Sequence, residues 1–244
     1  MELSSSKKTD TESKSPLNMP AIQLDGISID CVIFGFKKEN LEVLLVQHAI
    51  GESEGSWGLL GGWMKREESA DDAAHRILYE LTTLDNIYLE QLKAFTNPSR
   101  VLDRRIVTIG YYTLVNQEDY DVKASLDVRE AKWFRINEIP DLIFDHNEIL
   151  NFSLMQLRNR VRQAPIGFNL LPEKFTLLQL MHLYEEILGI ELDKSNFRRK
   201  ILHMKLLVAL DEKQQDVSHR AAKLYKFDPD IYKKLTEKGF NFEF

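Results

Sequence analysis

Three groups of residues in this sequence have the types and spacing to do chemistry. The first is a run of glycines, Gly51, Gly55, Gly58, Gly61 and Gly62, followed by Glu68, Arg76 and Glu80. Glycine permits backbone shapes that other residues resist, so the run reads as a loop of special geometry. Glu80 follows Arg76 at i,i+4, the spacing of an ion pair on one helix face. The second group is Asp30 and His48, each interrupting an apolar run where a polar side chain needs a partner or a ligand. Asp103-Arg104-Arg105 at a strand start can reach a sugar or a phosphate, although a charged cluster there is more often solvated. The third group is the basic run from Lys194 to Met204. At about 100° per residue, Phe197, Ile201 and Met204 share one face. Ser195, Asn196, Arg199 and His203 take the opposite face, with Arg198 and Lys200 on the flanks. Arg reads guanine and Asn reads adenine in a DNA major groove, while flanking cations meet phosphates. Taken alone, this run is more simply a solvated basic face. Cys31 sits in an apolar run and reads as a packing thiol. No second His or Cys lies at metal spacing from His146, so it reads as a polar group at a helix start.

The elements that must position these residues follow from periodicity. Ile27–Phe36 and Leu41–Gln47 read as strands joined by the polar turn Lys37–Asn40, and Tyr88–Phe95, Arg105–Val115 and Ala131–Ile136 as further strands. Ser69 starts a helix with Asp72 completing a capping box, and Ala70, Ala73, Ala74, Ile77, Leu78 and Leu81 form its apolar stripe. Asp145 can cap a helix running to about Gln163. Thr176 caps the next, which ends at Gly189. A short turn then leads to the basic helix. Two β-like runs follow, Leu206–Leu210 and Ala222–Phe227, and Asp228-Pro229 opens a last short helix. Helix, turn, helix and two-stranded wing is the order of a winged helix-turn-helix. In that setting a recognition helix becomes the better reading of the basic run.

Composition agrees with a folded chain. Hydrophobic residues make up 43% and charged residues 29% of 244 residues, room for one large or two modest domains. No apolar run reaches the ~18 residues of a spanning helix, and the first residues lack the apolar core of a signal peptide. A single cysteine argues for a reducing, cytoplasmic setting. The net charge of -6 hides a split: residues 1–150 carry 16 basic and 26 acidic side chains, residues 151–244 carry 16 and 12. The acidic half is joined to a half able to approach a polyanion. Residues 1–19 are rich in Ser, Thr and Lys and are expected to be a disordered tail.

From Trp57 to Leu84 the sequence resembles the Nudix box of the Nudix hydrolases. That box asks for Gly, five residues, Glu, seven residues, then Arg-Glu-apolar-x-Glu-Glu-x-Gly-apolar. Gly62, Glu68, Arg76, Leu78, Glu80 and Leu84 match, whereas Ile77 and Leu81 stand where the box has glutamates and Thr83 where it has glycine. The resemblance implies that Gly62, Glu68 and Arg76 brace the loop against the helix. It also implies that the family's carboxylate cluster for divalent cations is reduced to Glu80. Hard cations need several oxygen ligands, so no metal, no cofactor and no catalytic residue is expected here.

Both halves in this order resemble the Nudix-related transcriptional regulators of bacteria. Phe144–Leu150, Leu170–Leu177, Asn196–Lys200 and Leu224–Phe227 carry the resemblance in the second half. The implied fold is an α/β (α+β) Nudix-like mixed-sheet sandwich over 20–144, a linker helix over 145–163 and a winged helix-turn-helix over 164–244. The implied function is that of a homodimeric repressor. It would bind double-stranded operator DNA through Ser195, Asn196, Arg198, Arg199, Lys200 and His203, and hold a small-molecule effector near Asp30, His48, Glu80, Asp103, Arg104 and Arg105. One branch of the family senses ADP-ribose and governs nicotinamide-nucleotide metabolism; others serve sugar catabolism. A pocket without metal ligands favours a neutral pentose such as L-arabinose. ADP-ribose is the competing effector. The competing functions are an active Nudix hydrolase and a protein-interaction module that does not touch DNA.

Overall fold

The computed structural model describes residues 24–49, 54–85, 87–120, 122, 128–215, 221–240 and 242. The expected tail over 1–19 and the start of the glycine run at Gly51 lie outside them. The first half is built on β1 (Gly26–Lys37), a central strand buried from Ile29 to Phe36. Its side chains alternate across the sheet. Ile29, Cys31 and Ile33 face one apolar cluster, and Val32, Phe34 and Phe36 face another. A two-residue turn with Lys38 and Glu39 at φ 47° and 65° returns the chain as β2 (Asn40–His48). Positive φ at both central turn residues matches the natural twist of a hairpin.

The rest of the sheet is mixed. β1 pairs parallel with β6 (Ile106–Asn116) and antiparallel with both β2 and β4 (Leu60–Trp63). β3 (Trp57–Gly58) and β7 (Val128–Arg135) pair with β2, and β5 (Glu90–Phe95) pairs with β6. The glycine run therefore holds two short strands where the sequence suggests only a loop. Helix α1 (Ala70–Thr82) covers one face, burying Ala73, Ala74, Ile77 and Leu78, and starts at a Ser69–Asp72 capping box. Helix α2 (His146–Gln163) covers the other face with Ile149, Leu150, Leu154, Leu157 and Val161. It packs on the sheet as well as joining the halves.

The second half follows the expected order. β8 (Phe175–Thr176), missed by the sequence because it is two residues long, leads into α3 (Leu177–Leu188), capped by Thr176 and Gln179. Gly189 ends α3 at φ 66°, and α4 (Lys194–His203) follows. β9 (Leu207–Lys213) and β10 (Lys223–Phe227) complete a three-stranded sheet in the order β8-β10-β9. α5 (Pro229–Thr236) begins with Asp228 accepting from the N–H groups of Asp230 and Ile231. One continuous apolar cluster runs from the α2 face of the sheet through α3 and α4 to the wing. Among the described residues, no helix is long and apolar enough to cross a membrane.

Candidate functional site: a braced loop, a buried charge cluster and a basic helix

The loop after β4 is held by one arginine. Arg76 donates through Nε and Nη2 to both carboxylate oxygens of Glu68, at 2.9 and 2.6 Å, and through Nη2 to the Trp63 carbonyl at 2.9 Å. Its Nη1 donates to Glu80 at 2.8 Å. The Arg76 fork, helped by the Lys65 N–H, holds the Glu68 carboxyl at about 2. Gly62 lies against Ile77: a Cβ at Gly62 would stand 3.2 Å from the Ile77 side chain, so the strand approaches the helix too closely for anything larger to fit without movement.

The Nudix fold implies divalent cations on this helix, and the residues present do not fit them. Ile77 is 2% exposed and Leu81 packs beside the same apolar cluster. Both oxygens of Glu68 are committed to Arg76. Glu80 is drawn outward, to Arg76 and to Lys65 at 3.8 Å. What remains is a packed, salt-bridged loop without a free cluster of oxygen donors among these residues.

The residues expected around an effector fall in three places. Glu80 belongs to the brace. Asp103, Arg104 and Arg105 line an open cleft of about 640 Å³ together with Asp25, Pro98 and Val101. Asp30 and His48 lie deeper, in a cluster the sequence did not reveal. Asp30 is 5% exposed, in contrast to a solvated edge group. Its Oδ2 lies 3.5 Å from Arg100 Nη2 and 3.7 Å from His146 Nε2. Arg100 grips Asp145 with two bonds, Nε to Oδ2 at 2.9 Å and Nη2 to Oδ1 at 2.7 Å. His146 accepts the Leu59 N–H at Nδ1, 3.0 Å, so when neutral it carries its proton on Nε2, toward Asp30. It is a buried bridging group, a larger role than a polar helix start. A Cβ at Gly61 would stand 2.1 Å from Asp30 Oδ1, so glycine makes room for the carboxylate. His48 Nε2 is buried with no hydrogen-bond partner among the described residues, and burial, then His146, holds its pKa below the ordinary value. Burial pushes the Cys31 thiol far up, consistent with a packing role.

Nothing in Pro98-Ser99-Arg100-Val101 marks Arg100 as buried, and no spacing rule joins it to Asp145, because the contact is made only by the fold. A larger cleft of about 780 Å³ between β6 and the winged helix, lined in part by Tyr112, Arg160, Phe168 and Phe227, holds none of the residues expected to bind effector or DNA.

The basic helix α4 is positioned by its other face. Phe197, Ile201 and Met204 are buried, with Phe197 meeting the Tyr184 ring edge-on at 6.0 Å. Ser195, Asn196, Arg198, Arg199, Lys200 and His203 are all exposed. Asp193 caps the helix by accepting the Asn196 N–H, and Arg199 Nη2 donates to Asn196 Oδ1 at 2.7 Å.

Comparison with known proteins bears on both halves. Residues 25–152 match the NUDIX domain family, and residues 167–227 match the NrtR DNA-binding winged helix domain. The chain is 30% identical over 220 residues to the ADPR responsive transcriptional repressor NtrR of Acinetobacter baylyi, covering 88% of this chain and 85% of that one. It is similar to the crystal structure of Shewanella oneidensis NrtR complexed with a 27mer DNA. The TM-score is 0.69 at 29% identity, covering 88% of this chain and 97% of that one. The NUDIX domain of the same Shewanella protein, in cocrystal with ADP ribose, matches with a TM-score of 0.51 at 29% identity, covering 62% of this chain and 99% of that one. None of these relatives supports the expected pentose or a place in sugar catabolism; they favour the competing ADP-ribose. The Nudix sandwich, the winged helix in its expected order and this likeness over most of the chain place the protein in the NrtR family of Nudix-domain transcriptional repressors.

Proposed function

We propose that this protein is an ADP-ribose-responsive repressor that hydrolyses nothing. It binds operator DNA as a homodimer through α4 and releases it when ADP-ribose occupies the Nudix-like half. The observation that carries the reading is the pairing of a basic exposed helix face with a Nudix helix whose metal positions are filled by Ile77 and Leu81. The cleft bounded by Asp103, Arg104 and Arg105 answers the argument for a neutral sugar. Guanidinium groups meet phosphate oxygens in paired, charge-assisted hydrogen bonds, so a diphosphate can be neutralised there without a metal. Asp103, turned into the left-handed region at φ 61°, shapes the bend that presents the two arginines. In a two-fold dimer the two copies of α4 meet half-sites about 34 Å apart, or a multiple of that spacing.

The test is a mobility-shift titration of the full chain on its operator with ADP-ribose or L-arabinose added, and AMP followed in parallel with Mg²⁺ or Mn²⁺ present. Release by ADP-ribose alone, without AMP, is the expected result. Release by arabinose alone restores the sugar reading. Turnover near ~1 s⁻¹, the low end for ordinary enzymes, returns the chain to the hydrolases.

A further inference from the structure

Asp145 stands at the N-cap of α2, yet its side chain makes no capping bond. Aspartate is among the best residues for that task, and leaving it undone costs the helix a stabilising cap. Both of its oxygens go instead to Arg100, whose side chain is 3% exposed. A carboxylate diverted from its own helix to a buried guanidinium on a distant loop is a strong, directional joint between two elements.

The two elements lead to the two functions. Arg100 lies on the loop between β5 and β6, and the same loop supplies Pro98, Val101, Asp103, Arg104 and Arg105 to the open cleft. Asp145 begins α2, an 18-residue helix about 27 Å long. Toward the far end of α2, Arg158 Nε donates to the Ile187 carbonyl at 3.0 Å, in the last turn of α3. A Cβ at Gly189 would stand 2.7 Å from Arg158 Nη2, so this contact abuts the turn that launches α4. Asp30 and His146 flank the joint on the sheet side and hold its geometry.

We propose that the Arg100–Asp145 pair is a latch by which the cleft loop sets the position of α2, and through Arg158 the position of the DNA-facing helix. The proposal rests on the ADP-ribose reading above. A diphosphate gathered by Arg104 and Arg105 pulls on the loop that carries Arg100 and so draws its guanidinium away from Asp145. The latched form is therefore the effector-poor, operator-binding form, and the unlatched form is the one a diphosphate ligand favours. Arg100 and Asp145 act as positioning residues, touching neither ligand nor DNA.

The test uses the full chain with Asp145→Asn, which keeps the shape and removes the charge, and Arg100→Lys, which keeps the charge and loses the fork. Operator affinity is read by fluorescence anisotropy and ADP-ribose affinity by calorimetry. Both variants are expected to bind operator at least fivefold more weakly with no effector present and to bind ADP-ribose more tightly than the parent. Those opposite shifts separate a latch from simple damage, which weakens both. Operator and ADP-ribose affinities within twofold of the parent, or both weakened together, overturn the latch. If the parent ignores ADP-ribose, the effector reading fails. The latch is then judged on operator affinity, with Asp145→Asn and Arg100→Lys required to weaken it while leaving the melting temperature within a few degrees of the parent's.

Discussion

Asn196 and Arg199 lie one turn apart on the exposed face of α4, and their contact changes what each can read. A guanidinium only donates, so the Asn196 atom facing Arg199 is its carbonyl oxygen. The bidentate reading of adenine expected from sequence needs that oxygen free to accept the adenine N6 amino group. Arg199 takes one of that oxygen's two lone pairs and fixes the plane of the amide, so the pair favours N–H donation into the groove, which suits the acceptors of guanine or the O4 of thymine. Operators are therefore expected to carry guanine or thymine under this pair. Arg199→Ala should weaken binding to the preferred operator by about 1–3 kcal/mol and move the preference toward adenine. A binding series over all four bases at that position checks it. A loss equal for every base contradicts the paired reading. The exposed basic face of α4 was legible because burial and exposure alternate as helical geometry dictates. The Asn196–Arg199 bond was not, because sequence spacing allows that contact without requiring it. Arg100 was illegible for a stronger reason: a buried cation is defined by partners Asp30 and Asp145, which lie far away in sequence.

Among the elements, long periodic segments declared themselves and short ones did not. The stripe of α1, the capping boxes at Ser69 and Thr176, and the alternation of β1 carry many residues of consistent pattern. β3, β4 and β8 hold two, four and two residues, too few for any period, and exist only because β1, β2 and β10 lie beside them. The three departures from the Nudix box also separate at this scale. Ile77 and Leu81 exchange charge for packing, whereas Thr83 keeps the shape of the glycine it replaces. Thr83 closes α1 at φ 60° and ψ 9°, with its N–H bonded to the Tyr79 carbonyl. That left-handed backbone costs a side-chain-bearing residue about 1–2 kcal/mol, part of which glycine's greater chain entropy offsets. Thr83 is exposed, so no buried contact is lost on replacement. Thr83→Gly is expected to stabilise the protein by about 1 kcal/mol, a rise in melting temperature of about 2–4 °C for a chain of this size. A fall on calorimetric melting would mean that the threonine side chain holds something the left-handed cap does not explain.

In the whole molecule the two halves share one continuous core. Phe34 and Leu45 of the sheet, Leu157 of α2, Leu183 of α3 and Ile201 of α4 belong to a single apolar cluster. Packed interiors transmit displacement because they have few voids to absorb it. The charge split of the sequence foretold an acidic half and a half suited to a polyanion. It did not foretell that α2 would lie within the shared core, since composition says nothing of which faces meet. Hydrogen bonds tie the halves as well, with the Leu41 N–H donating to Glu186 at 3.3 Å across the junction of the β1–β2 hairpin and α3. On the proposed reading, a ligand in one half and DNA on the other act on one mechanical body, and their binding free energies are expected to be linked. The most direct measurement is the calorimetric affinity for ADP-ribose with and without saturating operator. Allosteric coupling of about 1–3 kcal/mol corresponds to roughly 5–150-fold and is reciprocal. Operator is expected to weaken ADP-ribose binding by the same factor by which ADP-ribose weakens operator binding. Identical ADP-ribose affinity in both cases would contradict the claim that this protein reads that ligand to control DNA.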